Sequence, residues 1–341
     1  MNAPTGGHAP QPEYVQIEPV GQCNLSCQMC AIQYRTDGTP GGGPPAFMRF
    51  DHYTRLVDGF PRLKHLHLQG LGEPMMHPRF FDMVSYAVGR GVRVTTNSNL
   101  TLLNPGRAER CVTSGLDELH VSIDGARPET YERIRSGARH ARVLHNLELL
   151  LEARARLLSQ TPHLKLVMVI MRQNLDELPE LVRLAPRWAM EEIFVQHLSH
   201  DFSEAGLPEQ YRPMRAFVEQ QTLLNEDLER VERRFEEARQ AAAELGIRLR
   251  LPRPRPRLHP PGTPGSQRCS WPWSGAYISY DGQAMPCCMV STPDRANLGS
   301  LLDAPVEQVW NGERYTRFRE QLASDTPPAI CQACSIYHGT F

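Results

Sequence analysis

Short apolar runs alternate with longer segments of helical periodicity through the first two hundred residues. The apolar runs have the length and composition of buried strands, and they lie at 14–20, 63–69, 91–97, 116–124, 164–171 and 192–198. Helix-like segments separate them, among others at 79–90, 127–135 and 142–158. Repeated strand–helix units predict a parallel sheet, either open or rolled toward a barrel. Six strands are fewer than a closed eight-stranded barrel needs, so the predicted fold class is α/β with a partial (β/α)6 barrel.

The carboxyl ends of parallel strands meet at one edge of a sheet, and folds of this kind bind their ligands there. The rule brings together residues that are far apart in the sequence. The residues so grouped are Cys23, Gly72, Asn97, Asp124, Arg172 and His197. We therefore expect the functional site at this edge. Lys165 begins its strand, so it is expected at the opposite end.

Composition divides the chain into four parts. They are a flexible N-terminus (1–13), the barrel with a following helix and strand (14–251), a proline-rich linker (252–266) and a cysteine-rich module (267–341). The last part holds five of the nine cysteines. This change in composition predicts a second module.

Three segments inside these parts have their own signals. The stretch 213–245 is helical and highly charged, and it ends at Gly246. The residues that follow, 247–251, form a candidate strand. The stretch 35–46 is too rich in Gly and Pro for regular structure and is predicted to be a loop, either a mobile cover or a disordered insert.

The charge and the cysteine content limit the functional classes. The net charge is −1, so no overall field attracts nucleic acid or an anionic membrane. No apolar stretch approaches the roughly 18 residues of a membrane helix, and the N-terminus lacks the apolar core of a signal peptide. We expect a soluble, cytoplasmic protein with no nucleic-acid or membrane partner. In that compartment nine cysteines favour metal or redox chemistry over disulfides.

The stretch GQCNLSCQMC spaces Cys23, Cys27 and Cys30 as C-x3-C-x2-C. Structural zinc requires four ligands, and no nearby His completes this set. An iron–sulfur cubane needs one external ligand per iron, so three thiolates leave one iron open. An open iron can bind a small molecule and pass it an electron. A structural iron–sulfur or zinc module is the alternative.

These cysteines and three later segments resemble the radical S-adenosylmethionine (radical SAM) superfamily. GLGEP at 70–74 is similar to the family's GGEP element, with Leu71 in place of a glycine. TTNSN at 95–99 stands where the family has a TNG-like turn, with Ser98 in place of glycine. SIDGARPETYERIR at 122–135 resembles the segment after the fourth strand in members that carry extra clusters.

The resemblance implies a [4Fe–4S] cluster whose open iron is chelated by SAM. Its one-electron cleavage yields a 5′-deoxyadenosyl radical that abstracts hydrogen from the substrate. The residues implied in SAM binding are Gly72, Glu73, Asn97, Ser122, Asp124 and Arg135. Glu73 suits the ammonium group, and Ser122 with Arg135 would hold the carboxylate. Asp124 is equally well explained as a helix cap.

The C-terminal cysteines resemble those of the SPASM domain in its shortened, twitch form, with a single auxiliary [4Fe–4S] cluster. The implied ligands are Cys269, Cys287, Cys331 and Cys334. Cys288 is an alternative to Cys287, and a zinc ribbon-like site is an alternative to the cluster. Four thiolates close all four irons, which suits electron transfer or a structural role. The turn Asp281-Gly282 predicts a β-hairpin beside these cysteines.

Two enzyme classes pair clusters in this way. One acts on small polyols, as the aminocyclitol dehydrogenases and cytosylglucuronate decarboxylases of antibiotic biosynthesis do. The other modifies peptides and usually has a leader-binding domain before the barrel. Only 13 residues precede the first strand here, so we expect the small-molecule class. The predicted reaction is hydrogen abstraction from a hydroxyl-bearing carbon of a sugar, sugar nucleoside or aminocyclitol, leading to dehydrogenation or decarboxylation. A peptide maturase is the alternative.

Two residues are candidates for substrate contact. Arg172 would hold a substrate carboxylate, and His197 would act as the base, since its ordinary pKa lies near neutrality. The expected partners are a small-molecule substrate and an electron donor such as flavodoxin or ferredoxin.

Overall fold

The computed structural model describes residues 7–36, 46–198, 200–256 and 269–340. Its strands are β1 Tyr14–Ile17, β2 Ser26–Cys27, β3 His65–Leu68, β4 Arg93–Ser98, β5 Glu118–Ser122, β6 Arg135–Ser136, β7 His163–Val169, β8 Glu192–Gln196, β9 Arg248–Arg250, β10 Gly275–Ile278, β11 Gln283–Met285 and β12 Gly299–Ser300. Ten of them form one sheet in the order β12-β11-β10-β1-β3-β4-β5-β7-β8-β9, and β2 pairs with β6 separately. The pairing from β10 to β9 is parallel throughout.

Helices follow most of the parallel strands, and further helices belong to the C-terminal module. They are α1 Phe50–Asp58, α2 Phe80–Val88, α3 Pro105–Thr113, α4 Pro128–Ile134, α5 His140–Arg156, α6 Leu178–Leu184, α7 Arg212–Gln221, α8 Leu228–Leu245, α9 Trp271–Ser274, α10 Val306–Trp310, α11 Glu313–Ala323 and α12 Ala329–Gln332. The predicted α/β class, its six barrel strands and the candidate strand at 247–251 are confirmed. Among the described helices none is long and apolar enough to cross a membrane.

The charged helical stretch predicted at 213–245 is two helices, α7 and α8. Thr222 ends α7, and its side chain accepts a hydrogen bond from the N–H of Leu224. Asp227 caps α8 by accepting from the N–H groups of Glu229 and Arg230. Short side chains that bond to nearby backbone compete with the helix, so the break falls where they occur. Gly246 ends α8 with a φ of 67°, as predicted from its position.

The two faces of the sheet differ in polarity. Alternate residues such as Leu66, Leu68 and Val121 are fully buried in the hydrophobic core. The other face carries polar side chains that bond across neighbouring strands, for example His120 Nδ1 to Asn97 Oδ1 at 2.8 Å. Lys165 lies at the amino end of β7, as predicted, and pairs with Glu118 at 2.8 Å. One face of the sheet is therefore apolar and the other is polar.

The C-terminal module continues the barrel sheet instead of standing apart from it. Strand β10 pairs with β1 along all four residues, from Tyr14 opposite Gly275 to Ile17 opposite Ile278. Strands β10 and β11 form the predicted hairpin, in which Gly282 has a φ of 82°. No local pattern predicts the pairing of β10 with β1, because the two strands are about 260 residues apart in the chain.

The N-terminal segment differs from its prediction as a flexible tail. Residues 7–13 are described, and they lie against the C-terminal module. The indole of Trp310 donates to the carbonyl of Ala9, and the buried Arg319 donates to the carbonyl of Gly7 at 2.8 Å. Asn311 both donates to and accepts from the backbone of Ala9. Pro and Gly remove local structure from this segment but leave its carbonyls free to bond elsewhere.

Most of two other predicted segments lies outside the described residues, which omit 37–45 of the loop and 257–268 of the linker and the start of the module. The described beginning of the linker packs against the barrel. The guanidinium of Arg255 donates to the carbonyls of Leu223 and Glu226, and the N–H of Arg253 donates to Thr340. The first residues of the linker therefore bond to the body of the protein.

A buried ion pair joins the elements around β1. The side chains of Glu18 and Arg35 are both fully buried, and their charged atoms are 2.7 Å apart. Glu18 also accepts from the N–H groups of Leu71 and Tyr280. The carboxylate of Glu18 therefore connects four parts of the protein. They are the end of β1, the turn after β3, Arg35 beyond the three cysteines, and the hairpin of the C-terminal module.

We predict that Arg35→Met lowers the free energy of unfolding by about 3–5 kcal/mol, since it leaves the Glu18 carboxylate buried without its cation. Urea unfolding of the iron-free protein, followed by circular dichroism, measures the effect. The matched control is Arg49→Met, because Arg49 and its partner Asp51 are 71% and 63% exposed. That change is expected to leave the free energy of unfolding close to the wild-type value. Equal losses in the two variants would show that the buried pair is not a stabilising junction.

Candidate active site

A cavity opens at the carboxyl ends of the parallel strands, where the topology predicts the site. Its wall comes from the barrel and from the C-terminal module. Eight of the predicted site residues line it: Cys23, Cys27, Cys30, Gly72, Glu73, Asn97, Ser122 and Arg135. Asp124, Arg172 and His197 are not in its lining.

The three cysteines of the first set lie on the segment after β1. Cys27 is in β2, opposite Arg135 in β6, and the N–H of Cys30 donates to the carbonyl of Cys27. Burial raises the pKa of Cys30 to about 12, and it also raises the pKa values of Cys23 and Cys27. Buried thiols of this kind ionise when a bound metal supplies positive charge.

Hydrogen-bond donors are directed at two of these sulfurs. The N–H of Leu25 is 3.5 Å from Cys23 Sγ, and Arg135 Nη1 is 3.9 Å from Cys27 Sγ. Donors of this kind stabilise the negative charge of a thiolate. Three thiols that line one cavity with donors beside them fit the ligand set of an iron–sulfur cluster with an open iron.

Gly72 packs against the backbone before the cysteines. A Cβ at this position would lie 2.1 Å from the carbonyl oxygen of Val20 and 2.4 Å from that of Gln22. Both atoms belong to backbone that a side chain cannot displace without distorting the segment. Only glycine therefore lets the turn after β3 approach the cysteine segment this closely.

Glu73 is buried and fixed by the turn after β4. Its carboxylate accepts from the hydroxyl of Ser98 and from the N–H groups of Asn99 and Met75, at 2.8 to 3.1 Å. Burial raises the pKa of this carboxyl group, while these hydrogen bonds oppose the rise. Glu73 thus connects the two turns that follow β3 and β4, and it also faces the cavity.

Asp124 holds Arg135 instead of reaching the cavity itself. Arg135 Nε is 2.6 Å from Asp124 Oδ2, and Asp124 is fully buried. The other carboxylate oxygen accepts from the N–H of Val169 at 2.7 Å. Asp124 does not cap α4, whose N-cap is Arg127. A buried carboxylate fixes the guanidinium in one orientation, with Arg135 exposed to the cavity.

Arg172 and His197 face other surroundings. Arg172 pairs with Glu226 at 2.7 Å, and its side chain is 46% exposed. His197 is buried, and its Nε2 donates to the carbonyl of Arg253 at 2.8 Å. Burial lowers the pKa of His197. Both residues follow their strands as expected, but the Arg172 side chain pairs with the segment between α7 and α8, and the His197 side chain bonds to the linker.

Several cavity residues were not predicted. Gln196, Phe202 and Met214 come from β8 and the segments after it, Asn99 from the turn after β4, and Ser291 from the C-terminal module. Phe202 and Ser291 have φ values of 55° and 72°, which are uncommon for residues with side chains. No local pattern marks such positions. Only the motif TTNSN contained a signal for one of these residues. Its second asparagine, Asn99, carries the same polar amide as Asn97, the asparagine that was predicted.

His200 connects the cavity to the second cysteine set. It lines the cavity, its Nε2 donates to the carbonyl of Ile330 at 2.8 Å, and its backbone pairs with Cys334. Its Nδ1 accepts from the N–H of Phe202. Since Ile330 precedes Cys331, the imidazole lies between the cavity and the cysteine pair.

The second cysteine set is brought together by the C-terminal module. Burial is the main cause that raises the pKa of Cys287, and the nearby thiols of the set raise it further. These neighbours are Cys288, Cys334, Cys269 and Cys331. The fold thus assembles thiols from three separate segments, which suits a cluster with four protein ligands. Cys287 is close to Cys269, Cys331 and Cys334, and Cys288 is close to Cys269 and Cys334.

Comparisons with known proteins agree with this architecture. The family model of the radical SAM superfamily matches residues 17–185, and the SPASM iron–sulfur cluster-binding domain matches 269–335. SuiB of Streptococcus suis, solved with the precursor peptide SuiA, has a similar structure, with a TM-score of 0.68 at 13% identity. The match covers 98% of this chain and 72% of the SuiB chain. At this identity the likeness shows the fold.

Two curated relatives differ in how much of the chain they match. The tungsten-containing aldehyde ferredoxin oxidoreductase cofactor-modifying protein of Pyrococcus furiosus is 24% identical and covers 95% of this chain and 87% of its own. Mycofactocin maturase MftC of Mycobacterium ulcerans is 27% identical over 49% of this chain and 42% of its own. Together with the cavity and the two cysteine sets, the two family matches show a radical SAM domain followed by a SPASM domain, and they indicate an enzyme that uses SAM, a [4Fe–4S] cluster and an auxiliary cluster.

Proposed function

We propose that this enzyme abstracts a hydrogen atom from an uncharged, largely apolar group of its substrate, and that the substrate is a peptide. The chemistry of the cavity wall supports the proposal. The residues assigned to neither cluster nor SAM are mostly apolar and include Met29, Leu71, Val169, Leu198, Phe202, Met214 and Val218. Gln196, His200 and Ser291 add neutral polar groups.

The distribution of charge argues against a charged substrate. Among the described residues that line the cavity, the Asp, Glu, Lys and Arg side chains are limited to Glu73 and Arg135. Both are held by protein partners, Glu73 by three donors and Arg135 by Asp124. A sugar carboxylate or an aminocyclitol ammonium would lose its hydration there without a free counter-ion, at a cost of several kcal/mol. A leucine-like or aromatic side chain would not.

The relatives also favour the peptide class over the sugar class that the sequence had suggested. Mycofactocin maturase is a maturase by name, although it matches only half of this chain. A second candidate is an organic cofactor precursor, because one relative that matches nearly the whole chain is a cofactor-modifying protein. Either substrate can present an uncharged group to the cavity.

The residues of the cavity have distinct proposed roles. Cys23, Cys27 and Cys30 would hold a cluster with one iron open, and the residues that would hold SAM are Gly72, Glu73, Asn97, Ser122 and Arg135. Asp124 fixes the Arg135 guanidinium, which would receive the SAM carboxylate. When bound, the reduced cluster and SAM would supply the radical chemistry for abstracting a hydrogen atom from the substrate. The apolar wall positions the substrate carbon and excludes water.

Cys269, Cys331, Cys334 and Cys287, with Cys288 as the alternative to Cys287, would hold an auxiliary cluster. When bound, that cluster would supply electron exchange with the substrate. An external donor of the flavodoxin or ferredoxin type supplies electrons to the enzyme.

We expect deuterium to reach 5′-deoxyadenosine from a peptide substrate. The reconstituted enzyme, with SAM and dithionite, is incubated with peptide and small-molecule fractions of the source organism grown in deuterated medium, each before and after protease digestion. Mass spectrometry of 5′-deoxyadenosine measures the transfer. Label from the peptide fraction that is lost after digestion supports the proposal. Label from the protease-resistant fraction contradicts it. In that case, retention of the deuterium-donating compound on an ion exchanger distinguishes a charged sugar from a neutral cofactor precursor.

We predict that Arg135→Gln weakens SAM binding by about 10- to 100-fold, because a charge-assisted hydrogen bond to the carboxylate contributes about 1.5–3 kcal/mol. Equilibrium dialysis with the cluster-loaded protein measures the affinity, and iron analysis verifies the loading. Arg133→Gln is the control, since Arg133 bonds to Gln173 and Thr130 and does not line the cavity. An unchanged affinity in the Arg135 variant would remove this residue from the SAM site.

We predict that Arg172→Gln and His197→Gln cleave SAM at rates close to wild type, because neither side chain lines the cavity. The amide introduced by His197→Gln can still donate to the carbonyl of Arg253 that the imidazole contacts. The rate of 5′-deoxyadenosine formation measures the effect. A large loss in either variant, with clusters intact, would restore that residue as a candidate for direct participation.

A further inference from the structure

Asn99 lies beside the first cysteine of the C-x3-C-x2-C set. Its side-chain nitrogen Nδ2 is 3.8 Å from Cys23 Sγ, within hydrogen-bond range for sulfur. Asn99 is 5% exposed, and its backbone N–H donates to Glu73 at 2.8 Å. The residue is therefore held from both its backbone and its side chain.

The orientation of the Asn99 amide is determined by its partners. The backbone N–H of Thr101 lies 2.9 Å from the atom assigned as Oδ1, and a backbone N–H can only donate. That atom must be the oxygen, so the NH2 group points the other way. Its nitrogen lies 3.2 Å from Asn24 Oδ1 and 3.8 Å from Cys23 Sγ, so both can accept from it.

Three side chains close a ring that holds this arrangement. Asn24 donates to Thr101 Oγ1 at 2.8 Å, Thr101 Oγ1 donates to Asn99 Oδ1 at 2.7 Å, and Asn99 donates back to Asn24. Every donor and acceptor of the Asn99 side chain then has a partner, the Cys23 sulfur included. Because the ring joins the cysteine segment to the turn after β4, the donor keeps its place relative to the sulfur.

We propose that Asn99 donates a hydrogen bond to the Cys23 thiolate of the SAM-binding cluster and thereby raises the reduction potential of that cluster. Reduction adds one electron to the cluster, which increases the negative charge on its thiolates. A donor aimed at a thiolate stabilises the reduced form more than the oxidised form. The role is independent of which substrate the enzyme uses, and it rests on the assignment of Cys23 as a cluster ligand.

The test is a redox titration of Asn99→Leu, which retains the shape of the side chain and loses its N–H groups. The anaerobically reconstituted variant and the wild type are reduced stepwise with dithionite, and electron paramagnetic resonance (EPR) follows each cluster. The signal that changes when SAM is added identifies the cluster with the open iron. We expect its midpoint potential to become more negative in the variant, while the auxiliary cluster keeps its potential.

The matched control is Asn146→Leu. Asn146 is a buried asparagine of α5 that donates to the carbonyl of Leu100 at 2.7 Å, so it supports the same turn without contact to Cys23. Its substitution is expected to leave the potential of both clusters unchanged. Equal shifts in the Asn99 and Asn146 variants, or no shift in Asn99→Leu with full iron content, would overturn the proposal.

Asn99→Asp provides a second variant, since it keeps the volume and replaces the donor by an acceptor. Its negative charge is expected to move the potential further in the negative direction, and an unchanged potential would also contradict the proposal. If neither variant binds iron, wild-type protein labelled with 15N-asparagine gives a direct measurement. Pulsed EPR should then detect a 15N coupling at the SAM-responsive cluster, and the absence of any coupling would overturn the hydrogen bond.

Discussion

The arrangement of the active site depends on the contacts that the buried Glu18 carboxylate makes. This carboxylate lies where β1 ends, and it bonds to Arg35, to the turn after β3 and to the hairpin of the C-terminal module. A buried carboxylate tolerates few alternative positions for its partners, because each lost partner leaves charge without solvation. This group consequently fixes the relative positions of three parts of the protein: the segment with the three cysteines, the GLGEP turn and the C-terminal module. Gly70 packs directly on Glu18, where a Cβ would lie 2.3 Å from its side chain.

The same principle applies to the cavity wall. Two ion pairs lie at or near the cavity, Arg135 with Asp124 and Arg295 with Glu204. Arg295 also packs over the ring of Phe202 at 4.5 Å, so this pair joins the segment after β8 to the C-terminal module. Charges that are neutralised within the protein position the wall without attracting charged ligands. The cavity can then be polar at the cofactor side and apolar where a substrate would lie.

Sequence reasoning succeeded where function depends on local spacing. Cys23, Cys27 and Cys30 occupy one short segment, so their spacing alone indicated an open iron site, and Gly72 was found from a motif of five residues. Sequence reasoning was less informative about the direction in which each side chain points. Arg172 and His197 were placed correctly at strand ends, but the side chains turn toward Glu226 and Arg253. Asp124 was grouped with the cofactor site, and in the structure it pairs with Arg135 and does not line the cavity.

The sequence by itself determined the strand–helix alternation, the two cysteine sets and the edge of the sheet at which the site forms, because these follow from periodicity and from short motifs. The tertiary structure decided which side chains enter the cavity, how β10 extends the sheet beside β1, and that residues 7–13 pack on the C-terminal module. Those outcomes depend on contacts between residues hundreds of positions apart. Burial of charged groups selects such contacts, and no local pattern records the selection.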